Sequence, residues 1–395
     1  MKHVNERSRH LRPRGGAEQQ TTAAELFFDL VYVFAVTQLS QLLIAHLNLA
    51  GAAQAAFLLV VVWWAWIYTT WMVNWFDPAS GTVRLVLIGA TLASLLMSAA
   101  IPTAIGANSL LFAGSYVALQ VGRNFAAVSL LTREHTLRRT FERICCWSVF
   151  SGALWIAGAL VPGSLRFVLW GPALAVDLAA PIVGYWTPGL GRALTDDYPV
   201  EGGHFAERFQ SFIIIALGES IVVTGASASS KGLSSLVIVA LVAAFLGSAA
   251  LWWLYFGEVA GHSRRQLADA RDSGVLARDA YSYLHLPIVA GIIMVAVGDE
   301  LLIGAPDGTL GTAGMAMMVG GPALYLTGES LFRLRMIGSI SPKRALTVAA
   351  LVAWGALAGA FSALAVSGGV AVALITLAAW EYPGADPAPA PEIVR

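Results

Sequence analysis

The sequence predicts an all-α integral membrane protein with about twelve transmembrane helices, and three observations carry that prediction. Of 395 residues, 57% are hydrophobic and 12% charged, with a mean hydropathy of +0.70, whereas soluble domains carry about 25% charged residues. So little polar surface could not cover a soluble fold of this length, and the chain expects lipid. Apolar segments also recur along the whole chain, and once they alternate across a bilayer Lys and Arg gather on one side.

The segments run in order. The first, near 26–47, follows a basic tail (1–20) with Lys2, Arg7, Arg9, Arg12 and Arg14. It carries Glu25 and Asp29 and lacks a small-residue cleavage site, so it is a retained helix rather than a removed signal. The second, 54–75, holds the tryptophans of WWAWIYTTWMVNWF; such rings favour a membrane interface, ahead of lining a cavity for an organic cation. Segments 85–106 and 109–131 follow, the latter with Arg123 inside it. Segment 144–162 opens on Cys145 and Cys146, whose adjacency fits neither a disulfide framework nor a metal site and predicts inert core thiols. Segment 165–186 has Asp177 midway. Segment 209–228 is entered through His204, Glu207 and Arg208 and carries Glu219 near its centre, beside Gly218, where a missing side chain permits close approach of a ligand or helix. Segment 234–256 is followed by 280–303, with His285, Pro287, Asp299 and Glu300, then by 313–332 with Glu329, 344–364 and the short 367–381. The Pro- and Ala-rich stretch 382–395 predicts an extended, disordered tail.

Orientation follows from the cations. The tail, Arg84, Arg133, Arg138, Arg139, Arg143, Arg192, Arg208, the 264–278 and 333–344 clusters and Arg395 share one side, and the other receives Arg166 and Lys231. The positive-inside rule then places both termini in the cytoplasm. Within the membrane domain (21–381), aligning Glu25 with Glu207 brings Phe27 onto Phe209 and Trp71 onto Trp253, while Tyr116 and Arg123 echo Tyr325 and Arg333. This points to two parallel six-helix halves, 21–200 and 201–381.

Several functions are disfavoured. A net charge of +0 gives no reason to expect nucleic acid. There is no Walker A sequence, no GxGxxG after a strand, no GxSxG and no HExxH, so neither a cofactor nor a metal is expected. The partners expected are membrane lipids and an unidentified small solute or ion, with the basic loops against anionic lipid heads.

The chemistry therefore rests on intramembrane charge. Glu25, Asp29 and Tyr32 fall at i, i+4 and i+7 and share a helix face. Arg208 and Glu219 lie three turns apart on a common face, too far to pair. An ionisable group at mid-membrane costs about 2.5–3.5 kcal/mol on insertion scales and persists only if paired, solvated or protonated. Glu219 and Asp177 are the deepest such groups. Read as structure, these residues are interhelical glue, with Glu25 and Asp29 meeting Arg123, and Glu207 meeting its own Arg208 or another basic residue near the membrane surface. Read as function, they form a pathway.

ELFFDLVYVFAVTQLSQLL, the Trp-rich helix ending NWFDP, HFAERFQSFIIIALGESIVVTG and YSYLHLPIVAGIIMVAVGDE occur in that order. In this the chain resembles the bacterial low temperature requirement A family of multi-pass membrane proteins over about residues 20–380. The resemblance rests on Glu25, Phe28, Asp29, Gln38, His204, Glu207, Arg208, Gly218, Glu219 and His285. It implies a multi-pass protein of the bacterial inner membrane and the grouping of these residues; the family name records growth in the cold rather than a reaction, so no substrate carries over.

Three functional expectations follow. The first is a secondary transporter or ion pathway in which Glu219 is helped by Asp29 and Glu207 toward the cytoplasm and by Asp299 or Glu300 toward the outside. The second is an intramembrane enzyme acting on a lipid or isoprenoid-like substrate, with Asp29, Glu207 and His285 as acid and base groups. The third is a structural envelope protein whose charges hold helices in register.

Overall fold

The computed structural model describes residues 10–13, 19–133, 135–194, 197, 199–259, 266, 267, 270 and 272–382. The remaining basic residues of the tail, Arg264, Arg265, Arg271, His262 and the stretch 383–395 lie outside them. Among the described residues there is no β-strand, and two isolated bridges, Leu11 with Phe76 and Thr187 with Gly191, are the extent of extended pairing.

Thirteen principal helices follow one another: α1 (Ala23–Ala45), α2 (Leu49–Trp75), α3 (Gly81–Ala100), α4 (Ser109–Leu130), α5 (Thr136–Leu160), α6 (Phe167–Ala179), α7 (Gly202–Lys231), α8 (Ser235–Leu254), α9 (Leu286–Gly304), α10 (Gly311–Met318), α11 (Gly320–Ile337), α12 (Pro342–Leu357) and α13 (Ala363–Glu381). At 1.5 Å per residue α1 is about 35 Å long, enough to cross a hydrocarbon core of about 30 Å. Among the described residues nine helical stretches are long and apolar enough to cross a membrane, so the chain is a multi-pass, all-helical membrane protein.

Three expected spans differ. Segment 109–131 is a full helix, α4, but Gln120, Arg123 and Asn124 make it polar. Segment 165–186 is helical only as α6, 13 residues long, before the chain turns. Segment 313–332 is divided at Val319 into α10 and α11, and α11 carries Glu329, Arg333 and Arg335.

Helix ends follow local chemistry. Asn48 accepts from the Gly51 amide to start α2, Ser234 from Val237 to start α8 and Ser362 from Ala365 to start α13. Gly338, at φ 72°, closes α11 in the left-handed conformation. Where α9 crosses α11, a Cβ on Gly291 would stand 2.6 Å from the Tyr325 nitrogen, and one on Gly321 2.9 Å from the Val295 nitrogen. The two backbones therefore touch, as small residues allow between membrane helices.

Packing places α1 at the centre, against α2, α3, α7 and α9; α7 also packs on α8 and α9, α9 on α11, α4 on α3 and α5, and α13 on α8 and α12. Helix α2 is buried on all sides from Val61 to Ile67. Its Trp63, Trp64 and Trp66 are therefore core residues rather than interface anchors, because neighbouring helices cover every face. The cysteines are corrected the other way: Cys145 is half-buried and Cys146 exposed, ten and eleven residues into α5 rather than at its start, on the outer surface of the bundle.

Candidate functional site

The side on which α1 begins is the near side. Helix α1 starts with a reciprocal cap: the Thr22 hydroxyl accepts from the Glu25 amide, and Glu25 Oε2 accepts from the Thr22 amide at 2.7 Å. That cap fixes Glu25 in the helix mouth, where the chain preceding α1 reaches it. Leu11 pairs with Phe76, and the Arg12 amide donates to Trp75 O at 2.8 Å. Arg12 then enters the bundle, donating from Nε to Val73 O at 2.7 Å and from Nη2 to Glu25 Oε2 at 2.9 Å.

His204, in the first turn of α7, completes this cluster. The Asn74 amide is oriented by Glu201, whose N–H donates to Asn74 Oδ1 while Asn74 Nδ2 donates to Glu201 O. Nδ2 therefore also faces His204 Nδ1, at 3.2 Å, and the imidazole carries its proton on Nε2 and donates to Glu25 Oε1 at 2.7 Å. Arg12 Nη2, 3.1 Å from the same Nε2, is a second donor gathered on the carboxylate.

One turn deeper, Arg208 grips Asp29 with two parallel bonds, Nη1 to Oδ2 at 2.5 Å and Nη2 to Oδ1 at 2.8 Å. Trp66 Nε1 donates to Oδ1 at 2.8 Å, and the guanidinium carbon lies 5.8 Å from the Trp66 ring centre. Glu25, Asp29, His204 and Arg208 are all fully buried.

Two expected pairings are not formed. Arg123 does not reach Glu25 or Asp29; it donates instead to Thr69 Oγ1 of α2 at 3.0 Å and to Gln120, and lies over the Tyr68 ring. Glu207 does not pair with Arg208, which is committed to Asp29, but accepts from the Thr21 amide at 3.3 Å. Gln38 is half-buried and makes no hydrogen bond to a described residue.

Beyond this layer the contact between α2 and α7 is aromatic. Trp66 and Phe212 lie 4.5 Å apart by ring centre, Trp66 and Phe209 4.9 Å, and Trp63 and Phe212 5.1 Å. This plug separates the near layer from a second polar layer on the far side. There Thr37 Oγ1 bonds Glu219 Oε2 at 2.5 Å, and the other carboxylate oxygen, Oε1, is buried without a partner. Ser220 Oγ bonds Asp299 Oδ2 at 2.5 Å and Ser248 Oγ at 3.0 Å. Gln41 donates to Glu300 Oε2 at 3.3 Å, and Glu300 lies within electrostatic reach of Glu219. Among the described residues no Lys, Arg or His pairs with Glu219, Asp299 or Glu300. Gly218 faces open space, so no helix uses the gap it leaves.

His285 stands apart from both layers. It caps α9, bonds Tyr255 OH at 2.9 Å and stacks on Tyr281 with ring centres 5.0 Å apart. Phe209 stands between it and Trp66, so Asp29, Glu207 and His285 are not brought together. Asp177, near the end of α6, accepts on Oδ2 from Tyr116 OH and Trp155 Nε1, both at 2.9 Å. Glu329 is held by Arg344 at 2.6 Å, and Arg344 also bonds Glu381 at 2.8 Å. Sequence reasoning missed Arg12, Asn74, Thr37, Ser220 and the Arg344 pairings. Hydroxyls inside spans that also hold carboxylates were the available signal for Thr37 and Ser220.

Apolar helices with ion pairs sealed among them, and carboxylates without cations farther in, define a polytopic membrane protein with charge built into its interior. The matching family model, bacterial low temperature requirement A protein (LtrA), covers residues 20–379, and the chain belongs to that family. It is 35% identical over 375 residues to the uncharacterized protein RA0937 of Rhizobium meliloti (strain 1021), covering 94% of this chain and 91% of that one. No solved structure matches.

Proposed function

We propose that this protein is a secondary transporter or ion pathway of the bacterial inner membrane, with the near side and both termini in the cytoplasm, and that Glu219, Asp299 and Glu300 carry a proton or small cation. One observation carries the reading: all three lack a cationic partner among the described residues, and Glu219 and Asp299 rest on hydroxyls. A hydroxyl donates to a carboxylate and equally accepts from a carboxylic acid. Thr37 Oγ1 also lies 3.1 Å from Val33 O. With Glu219 ionised, Thr37 donates to it; with Glu219 protonated, the acid donates to Thr37, which donates to Val33 O. The Thr37 bond is kept in both states, as a group that gains and loses a proton needs.

The aromatic plug between Arg208 and Glu219 supports a gated carrier over an open channel. Under this reading the near layer is a fixed anchor, and exchange between the two sides requires α1, α7 or the plug to shift. Twelve membrane passes in two parallel halves also fit. Thr37 and Glu219 are separated by the same interval as Glu25 and Glu207, and α1 meets α2 and α3 as α7 meets α8 and α9. A pseudo-twofold axis along the membrane normal would bring such equivalent positions face to face.

The test is proton and alkali-cation flux in proteoliposomes under an imposed pH gradient. Wild type is expected to exceed empty liposomes, and Glu219→Gln, reconstituted at matched density, to lose at least about tenfold, or 1.4 kcal/mol of barrier. No wild-type flux of either ion above empty liposomes sinks the proposal in this form.

A further inference from the structure

From a second region we infer that the aromatic slot between α2, α4, α5 and the 277–283 turn binds a phosphate-headed membrane amphiphile, its chain against the ring faces and its head at Arg278. The slot lies on the near side and offers about 580 Å3 of space counting its open mouth, within the range of small-molecule sites.

Its walls have spent their polar atoms elsewhere. Trp64 Nε1 donates to Asp177 O at 3.1 Å, Trp75 Nε1 to Pro199 O at 2.8 Å and Tyr283 OH to Leu178 O at 2.6 Å. Trp71 Nε1 donates to Ser282 Oγ at 3.1 Å, and Tyr185 and Tyr68 bond through their hydroxyls at 3.0 Å. The rings therefore offer apolar surface to an occupant. Among the described residues one buried polar atom of the lining is unsatisfied: Thr140 Oγ1, on a residue 1% exposed, has no partner there. A buried hydroxyl left so is costly, and a ligand oxygen would satisfy it.

The mouth supplies charge and an entry route. Arg278 is the charged residue of the lining; it donates to Pro181 O at 3.2 Å and pairs with Asp279 at 2.8 Å. Asp279 is shared with Arg335 at 2.9 Å, which ties the Arg278 side of the mouth to the end of α11. A guanidinium as the charged group of the lining disfavours the organic cation the tryptophans would otherwise suit and matches the geometry of a phosphate. Beside it Ile182, Val183 and Trp186 are 62%, 46% and 57% exposed, an apolar lip continuous with the surface that meets lipid. Tyr185, within this lip, has a φ of 51°, a conformation few non-glycine residues adopt and one found where a site imposes it.

The experiment is photolabelling of the full-length protein in zwitterionic vesicles doped with phosphatidic acid bearing a diazirine in its chain, with the matching phosphatidylcholine probe as control. Adducts mapped by peptide mass spectrometry are expected on 64–75 and 140–144 with the phosphatidic acid probe. Labelling there is expected to fall at least about tenfold in Arg278→Gln, the loss of one charge-assisted bond, and in Ile144→Trp, which fills the slot. Arg278→Lys should recover part of it. Should Ile144→Trp fail to fold, Thr140→Val is the substitute and is expected to weaken labelling without altering elution or lowering thermal stability. Equal slot labelling by both probes, adducts confined to exposed positions such as Ile182, or labelling unchanged in Arg278→Gln would each overturn the inference.

Discussion

The near and far layers share the helices α1 and α7, eleven residues apart along α7 from Arg208 to Glu219, yet they treat a carboxylate in opposite ways. Every oxygen of Glu25 and Asp29 faces at least one N–H donor, from Arg12, Arg208, Trp66, His204 or the Thr22 amide, although the Thr22 hydroxyl also bonds Glu25 Oε2 at 2.7 Å. Protonating either would set a carboxylic O–H against a donor, so these groups are held as anions. Glu219 and Asp299 face Thr37 and Ser220, and a hydroxyl keeps its bond whichever partner owns the proton. Burial alone therefore does not identify a working carboxylate in a membrane; the kind of partner does.

The largest expected effect lies in the near layer. Arg208→Met leaves Asp29 buried and unpaired, which costs about 3–5 kcal/mol, read as a loss of thermal stability in detergent. Removing both charges, Asp29→Leu with Arg208→Met, should recover most of it, since the desolvation penalty goes with the pair. Arg12→Ala ranks next, at about 1.5–3 kcal/mol for a lost charge-assisted bond, because His204 and Thr22 still hold Glu25. Smaller again are Glu219→Gln and Asp299→Asn, neutral isosteres that keep the hydroxyl bond and should move stability by less than about 1 kcal/mol. If these far-layer changes destabilise as much as Arg208→Met, the contrast between fixed and switchable carboxylates is broken.

Much of this was legible in the sequence, and the boundary has physical causes. The spacing of Glu25, Asp29 and Tyr32 implied one interior face, and all three are fully buried. Hydropathy located the apolar helices because insertion depends on composition. It could not show that the run after Phe167 ends as a helix at Ala179, nor that Val319 divides α10 from α11. Partners were the least legible feature. Arg12 counted only as a tail cation, because its reach to Glu25 depends on Leu11 pairing with Phe76 across 65 positions of sequence. Arg123 was matched to the wrong acids because its actual partner, Thr69 of α2, is a neutral hydroxyl that carries no charge signal in the sequence.

The finest test of the contrast is Thr37, where stability and function should separate. Thr37→Val keeps the shape and removes the hydroxyl, so the folded state should lose only about 0.5–1.5 kcal/mol. Transport should suffer as much as in Glu219→Gln, because an ionised Glu219 loses its donor and a protonated one its acceptor. Thr37→Ser restores the hydroxyl with one methyl fewer and should restore flux, while a cavity the size of that methyl keeps stability slightly below wild type. Flux and thermal stability measured on the same reconstituted samples decide the matter. If Thr37→Val transports like wild type, the hydroxyl is packing and Glu219 exchanges its proton by another route. If Thr37→Ser fails as completely as Thr37→Val, the methyl rather than the oxygen positions the carboxylate, and the far layer is held by shape as rigidly as the near layer is held by charge.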